Sequence, residues 1–216
     1  MAATPRQTQI LEERYGAHHQ PEGLIWNDQV EHIMSHKSVR KFLPDDLPEG
    51  AVETMVAAAQ SASTSSNLHL WSVVAVTDAE LKSRLAAASH FKSIDTGNPY
   101  IEEAPVFLLW VADQSRNNAI AKAHGGSGIV HDYLDSFVMS TIDTALAAQN
   151  AALVAESLGL GIVYIGGMRN KAREVADILG LPPYSYVTFG MVVGHPAPGA
   201  QQRLRPRPAL DMVFAP

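Results

Sequence analysis

Val52, Met55, Val56 and Ala59 recur at i, i+3, i+4 and i+7, a spacing that predicts an amphipathic helix from Pro48 to about Ser61. Glu49 and Glu53 lie near its start, where acidic side chains oppose the helix dipole. Similar reasoning predicts helices over Pro5 to Tyr15, Asn27 to Ser35, Asp78 to Ala88, and Asn170 to Leu179, the last closed by Gly180 and Pro182. Continuous apolar or β-branched runs predict strands over Leu70 to Thr77, Val106 to Ala112, Ile162 to Ile165 and Tyr186 to Val193. Ser89 to Tyr100 reads as a loop, with Gly97, Asn98 and Pro99 as its turn signal. The longest helical segment is Asp132 to Leu158, about 40 Å long at 1.5 Å per residue, with Gly159 placed to end it. Between Thr144 and Ala155 its only strongly polar side chains are Gln149 and Asn150. A helix apolar all round must be enclosed, which predicts a central helix shared with a second subunit.

Interleaved helices, only about four strands and one dominant helix predict an α+β sandwich rather than a doubly wound sheet. Neither G-x-G-x-x-G nor G-x-x-x-x-G-K occurs, which argues against dinucleotide-fold and P-loop enzymes. The 216 residues suit one core. Residues 1–25, with His18, His19, Gln20, Pro21 and Gly23, read as an N-terminal arm, and residues 26–216 as a single domain.

Composition narrows the chemistry. Sixteen Lys and Arg against 22 Asp and Glu give a net charge of −6, so the molecule as a whole offers no field for nucleic acid or an anionic membrane, and any anion site must be local. The absence of cysteine removes disulfides, thiolate nucleophiles and iron–sulfur ligation. No signal-like or membrane-spanning run is present, so a soluble, cytoplasmic protein is expected. His18, His19 and His36 lack the carboxylate neighbours and fixed geometry of a metal site, and no metal is expected.

Four short stretches could carry chemistry. His36, Lys37, Ser38 and Arg40 combine an imidazole, a hydroxyl and two cations in five residues. Alternate residues of an extended segment share a side, so Ser38 and Arg40 could converge with His36 on one phosphate; a solvated basic turn is the plainer reading. Thr64, Ser65, Ser66 and Asn67 form a hydroxyl-rich tract in a span, Glu53 to Asp78, without other charges; it can donate hydrogen bonds or simply end a helix. Ile165, Gly166 and Gly167 let backbone amides approach a flat or anionic ligand, or form an ordinary turn. Arg205 and Arg207 flank Pro206 and point alike, as a ligand clamp or as a solubilising tail.

Taken in order, these stretches resemble the FMN-dependent nitroreductase superfamily, and within it the NADPH-preferring flavin reductase and oxygen-insensitive nitroreductase branch. The resemblance runs from about Trp26 to Leu210. Its carriers are His36-Lys37-Ser38-Val39-Arg40, Thr64-Ser65-Ser66-Asn67-Leu68, Asp143-Thr144-Ala145 with Ala148-Gln149-Asn150-Ala151 and Ala155-Glu156-Ser157-Leu158-Gly159-Leu160-Gly161, Tyr164-Ile165-Gly166-Gly167-Met168-Arg169-Asn170, and Arg205-Pro206-Arg207. It implies a three-layer sandwich with a mixed antiparallel sheet, built as an obligate homodimer with flavin sites at the interface. It also implies that His36, Lys37, Ser38, Arg40, Arg205 and Arg207 hold the FMN phosphate and ribityl chain, that Thr64 to Asn67 approach the flavin from the other subunit, and that Ile165, Gly166 and Gly167 pass over its ring. Asn98 aligns with a flavin-contacting Gln, and His69 and Arg169 fall where substrate or nicotinamide would lie.

The implied reaction is ping-pong: hydride passes from NADPH to bound FMN and on to a small planar acceptor such as a nitroaromatic, quinone or free flavin. The cofactor carries the hard chemistry, so no catalytic side chain is assigned. Alternatives keep the flavin but reduce azo, enone or chromate acceptors, or make the protein a flavin-binding sensor. Lys37 stands where the branch has Arg, which keeps the charge but gives up the planar fork. The chain also runs only briefly past Arg207, where longer relatives continue over the partner, and the N-terminal arm is expected to take over part of that work.

Overall fold

A strand covered on both faces cannot alternate polar with apolar side chains, and β2 (Val106–Asp113) is buried at every residue. It lies at the centre of a four-stranded sheet with β1 (Trp71–Val76), β3 (Gly161–Ile165) and β4 (Ser185–Gly194), in the order β1-β2-β4-β3. These elements belong to a computed structural model that describes residues 4–90, 98–200 and 203–215. Every ladder of the sheet is antiparallel, a correction to the mixed sheet expected; the parallel component is a single bridge between Ser38 and Ile162. Strand pairing is non-local, so a run of apolar residues marks a strand without fixing its neighbour's direction.

Successive β2 residues face opposite layers. Val106, Leu108 and Trp110 pack with α3 (Ala51–Gln60) and α7 (Leu134–Ser157), while Phe107, Leu109 and Val111 pack with α4 (Ala79–Ala88) and α8 (Ala172–Leu179). The result is helix, sheet, helix in three layers. Two helices had no counterpart in the sequence reading. α5 (Tyr100–Glu103) is a single turn inside the segment read as loop. α6 (Ser115–Ala123) carries no buried apolar stripe, Asn118 being its buried residue, so the periodicity that reveals other helices is missing. Gly97 lies outside the described residues.

α7 is three residues shorter than predicted, because Tyr133 is extended and separates it from a short 3-10 turn at Ile129–Asp132. Ala147, Ala148, Ala151, Ala152 and Ala155 are buried against α3 and the sheet, and small side chains let the backbones approach closely. The other side of the helix is bare: Leu134, Val138, Ile142 and Leu146, spaced four apart, form an exposed ridge, with Leu134 74% and Ile142 50% accessible.

The segment expected as an arm is docked. Thr4 and Gln7 form a reciprocal capping box that starts α1 (Pro5–Tyr15), with Pro5 in its first turn. Ile10 of α1 is fully buried and Arg14 is 5% exposed. α2 (Asp28–Met34), capped by the Asn27 side chain, then delivers the chain to His36. Among the described residues no helix is long and apolar enough to cross a membrane.

The segment after α2 reaches the sheet through one close approach. The Val39 amide donates to the Ile162 carbonyl at 2.9 Å, and a Cβ on Gly161 would lie 2.6 Å from a Val39 methyl. Gly161→Ala is therefore expected to force the Val39 segment off the sheet edge and to cost about 1–3 kcal/mol, as overpacking typically does. A lowered urea midpoint with an unchanged m-value would register this loss.

Candidate functional site

Three adjoining cavities meet along the C-terminal half of α7. The first, about 280 Å³, is lined by Arg6, His36, Lys37, Glu156 and Gly161 among others. His36 Nδ1 lies 2.7 Å from Glu156 Oε1, and the second carboxylate oxygen of Glu156 is buried without a protein partner. The second cavity, about 480 Å³, is lined by Arg14, Met34, His36, Gln149 and Arg207. The third, about 290 Å³, is apolar and lies between Ala145, Gln149, Tyr164, Gly166, Arg169 and Phe189. His36 is common to the first two and Gln149 to the last two, so the three adjoin as a groove-like row, cationic at one end and mostly apolar at the other.

The cationic end is held together from α1. Arg14 donates through Nε and Nη2 to the Met34 carbonyl at 3.1 and 2.9 Å, through Nη2 to the His36 carbonyl at 2.6 Å, and through Nη1 to the Arg205 carbonyl at 3.0 Å. Its own carbonyl accepts from the Arg207 amide at 2.7 Å, and the Glu13 carboxylate accepts from the Leu204 amide at 3.3 Å. Burial, and then the Arg207 charge, lower the Arg14 pKa, yet a guanidinium remains a cation throughout the physiological range.

The apolar end is rigid. Tyr164 and Phe189 meet edge to face at 5.2 Å between ring centroids. Burial, and then the Glu156 charge, push the Tyr164 phenol far up, so it stays neutral at any working pH. A Cβ on Gly167 would sit 2.7 Å from the Ser89 carbonyl, so that position requires a bare backbone, while one on Gly166 would sit 3.2 Å from the Arg169 guanidinium and crowd it.

The residues singled out from sequence divide into groups. His36, Lys37 and Arg207 line the groove's cationic end, and Gly166 and Arg169 line its apolar end. Ile165 is the buried last residue of β3. The Ser38 backbone lies in the bridge to Ile162, and Arg205 reaches Arg14 through its carbonyl while its side chain is exposed. Arg40 lies against the Tyr100 hydroxyl, whose pKa burial raises and the guanidinium lowers. Asn98 donates to the Ser89 hydroxyl and accepts from the Tyr100 hydroxyl. Arg169 donates to the Thr188 carbonyl at 2.6 Å.

Thr64 to Asn67 and His69 lie apart from this groove. Ser66, Asn67 and His69 have φ of 50°, 55° and 50°, a left-handed conformation that non-glycine residues seldom adopt. Asp143, 1% exposed, pins the tract: its carboxylate accepts from the Thr64 hydroxyl at 2.7 Å, the Ser65 amide at 2.8 Å and the Leu70 amide at 3.3 Å. The His69 ring nitrogen lies 3.0 Å from the Asn67 side-chain oxygen, and the His69 carbonyl accepts a hydrogen bond from Arg116.

Sequence reasoning did not assign Arg14, Gln149, Glu156, Tyr164 or Phe189. For Arg14 a signal existed: Thr4 and Gln7 with Pro5 mark a true helix start, and a capped helix bearing Ile10 is more than a loose arm.

Residues 33–195 match the model of the Nitroreductase family. The chain belongs to that family. It is 39% identical to "FMN reductase (NADPH)" of Bacillus subtilis (strain 168) over 79% of its own length and 67% of the relative's. It is 36% identical to "NADPH-dependent oxidoreductase" of Staphylococcus aureus (strain USA300) over 84% and 70% of the two chains. Among solved structures, NfrA1 of B. megaterium superposes with a TM-score of 0.80 at 38% identity, over 88% of this chain and 74% of that one. The NADPH:FMN oxidoreductase from Vibrio harveyi, complexed with NAD+, gives 0.76 at 37% identity, over 88% and 77%. α1 and the Arg205–Arg207 segment lie outside the matched family region.

Asp143→Asn puts an amide where three donors converge, so a buried donor loses its acceptor at a cost of about 1–3 kcal/mol. The expected result is a lower thermal midpoint together with faster proteolysis between Ser63 and Leu70; cleavage there at the wild-type rate would count against Asp143 as the anchor of this tract.

Proposed function

We propose that the groove binds FMN, with the phosphate among Lys37, His36 and Arg207 and the flavin ring against Gly166, Tyr164 and Phe189, and that a small planar acceptor is reduced there. The protein is an NAD(P)H-dependent flavin reductase of the nitroreductase type. The observation that carries this reading is the polarity of the lining: Arg14, His36 and Arg207 at one end, the Tyr164 and Phe189 rings with the bare backbone of Gly166 at the other. The donor set fits a flavin mononucleotide. Arg14 and Arg207 are close enough for the second charge to depress the first, a repulsion that a bound dianion relieves, while the glycines leave room for a ring to lie on the backbone.

Bound FMN supplies hydride acceptance from NADPH and hydride donation to the acceptor. The chain's residues orient it. Lys37 and Arg207 offer charge-assisted hydrogen bonds, worth roughly 1.5–3 kcal/mol each, and Tyr164 and Phe189 exclude water from one face. No side chain is asked to move a proton, and none is assigned as catalytic.

The functional unit is a homodimer. The ridge of Leu134, Val138, Ile142 and Leu146, with Phe137 beside it and Met212, Val213 and Phe214 exposed near the end of the chain, is larger than the scattered apolar exposure of a monomer. Thr64 to Asn67, half-buried at Thr64 and Ser65 and exposed at Ser66 and Asn67, line none of their own chain's three cavities and meet the flavin of the second subunit in this reading. His69 and Asn98 remain candidates for acceptor and ring contacts on the same footing.

The purified protein is expected to be yellow, to bleach on mixing with NADPH, and to oxidise NADPH continuously once a nitroaromatic or quinone is added. A panel including azo, enone and chromate acceptors identifies the preferred class. A protein that takes up no FMN would sink the reading, and one that stays yellow with NADPH would recast it as a sensor. Ile142→Glu places a charge in the centre of the apolar ridge; it is expected to convert the dimer to a monomer by light scattering and to release FMN, and a flavin-loaded monomer would refute the shared site.

A further inference from the structure

α1 contributes to the groove although it lies outside the matched family region, and its contribution is concentrated in one side chain. Arg14 is buried, and its guanidinium spends its donors on carbonyls of three residues from two distant parts of the chain: Met34 and His36 on one side, Arg205 on the other. Those carbonyls belong to the two stretches that bring His36, Lys37 and Arg207 to the cavity of the anionic ligand. The same residue's carbonyl holds the Arg207 amide, so position 207 is fixed by Arg14 at its backbone as well. Few side chains can do this. A guanidinium presents its donors in a planar fork that can reach several carbonyls at once, whereas a lysine ammonium is a compact charge on a flexible stem.

The cost of this arrangement points to a ligand. A guanidinium taken out of water beside a second arginine is doubly disfavoured, by desolvation and by repulsion from Arg207. Tyr15, Glu13 and then Glu156 compensate in part, but Glu13 already accepts from the Leu204 amide and Glu156 is paired with His36. A device meant only to fasten α1 would not need to gather positive charge where a cavity of about 480 Å³ opens between Arg14, His36 and Arg207.

We infer that Arg14 is a positioning residue for the cofactor's phosphate: by tying the carbonyls of Met34, His36 and Arg205 together it preorganises the cationic clamp, and it thereby sets how strongly the protein prefers FMN over riboflavin. This rests on the flavin assignment above. Preorganisation improves affinity by removing the ordering cost that a loose clamp pays on binding, and the gain falls only on the ligand that carries the phosphate. The dimethyl-isoalloxazine ring, common to FMN and riboflavin, rests at the other end of the groove and is indifferent to Arg14.

The test uses the full chain freed of flavin and titrated separately with FMN and with riboflavin, following flavin fluorescence, for the wild type and for Arg14→Gln, Arg14→Lys and Ile10→Ala. Arg14→Gln is expected to weaken FMN binding by about tenfold or more, the equivalent of losing a single good charge-assisted contact, while riboflavin affinity moves by less than about twofold, within the scatter of a remote change. Arg14→Lys is expected to fall between the wild type and Arg14→Gln, and it supplies the same comparison if the glutamine variant does not fold. Ile10→Ala loosens the same helix without touching the guanidinium; it is expected to lower the melting temperature and leave the ratio of the two affinities unchanged. A fall in both affinities together in the Arg14 variants, or a loss of discrimination in Ile10→Ala equal to theirs, overturns the inference in favour of a purely structural role. A wild type that discriminates beside an Arg14→Gln chain that discriminates equally overturns the inference alone. A wild type that binds FMN no better than riboflavin overturns the phosphate assignment and the inference with it.

Discussion

The close approach of α7 to the sheet is the constraint on which the molecule is built. Five alanines on one side of the helix let it lie against α3 and the central strands, and any larger side chain there would push the layers apart. The consequence is a rigid rod with polar groups at chosen heights. Asp143 meets the Thr64 to Leu70 tract, Gln149 sits where the second and third cavities join, and Glu156 pairs with His36. From the first to the last of these is about 20 Å along the helix axis. One packing interaction thus spaces the parts of the site, and the loops around it need only reach the rod.

Electrostatics then separates the local from the global. The chain is acidic as a whole, yet Arg14, Lys37 and Arg207 gather at one end of the groove. Such a concentration is unstable without compensation. Here part of the compensation is internal, through carbonyl oxygens aimed at Arg14 and the Glu156 carboxylate beside it, and the remainder is left for an anion. The long-range field of the remaining acidic surface is screened within about 8–10 Å at physiological salt, so the deficit of positive charge elsewhere does not reach this pocket.

The four strands and the helices with an apolar stripe were legible in the sequence because their periods are local. α6 was not, since its exposed faces are polar and its one buried residue is Asn118. The direction of strand pairing was not legible either, because it is decided between elements far apart in the chain. The site followed the same division. Gly167 announced a close backbone approach, and the basic segment at His36 marked one end of the row of cavities. The fold adds pairings that no local period encodes, the Ser38 backbone in a bridge with Ile162 and Arg40 against Tyr100. The helix that carries Arg14 was legible but its role was not: its partners are main-chain carbonyls of Met34, His36 and Arg205, and carbonyls have no signature in a sequence.

The hydroxyl-rich tract carries strain that bears on the homodimer proposed above. Three non-glycine residues within four positions hold a left-handed backbone, each costing of order 1–3 kcal/mol, and a buried carboxylate with three donors is committed to keeping them there. Strain of that kind persists only where surrounding structure over-determines it. Nothing in the tract's own groove repays it, since the cavities that His36 and Gly166 line lie elsewhere. The bare ridge of α7 lies on the same helix as Asp143. In the homodimer proposed above, the free energy of covering Leu134, Val138, Ile142 and Leu146 would be available to offset the strain that the isolated chain carries.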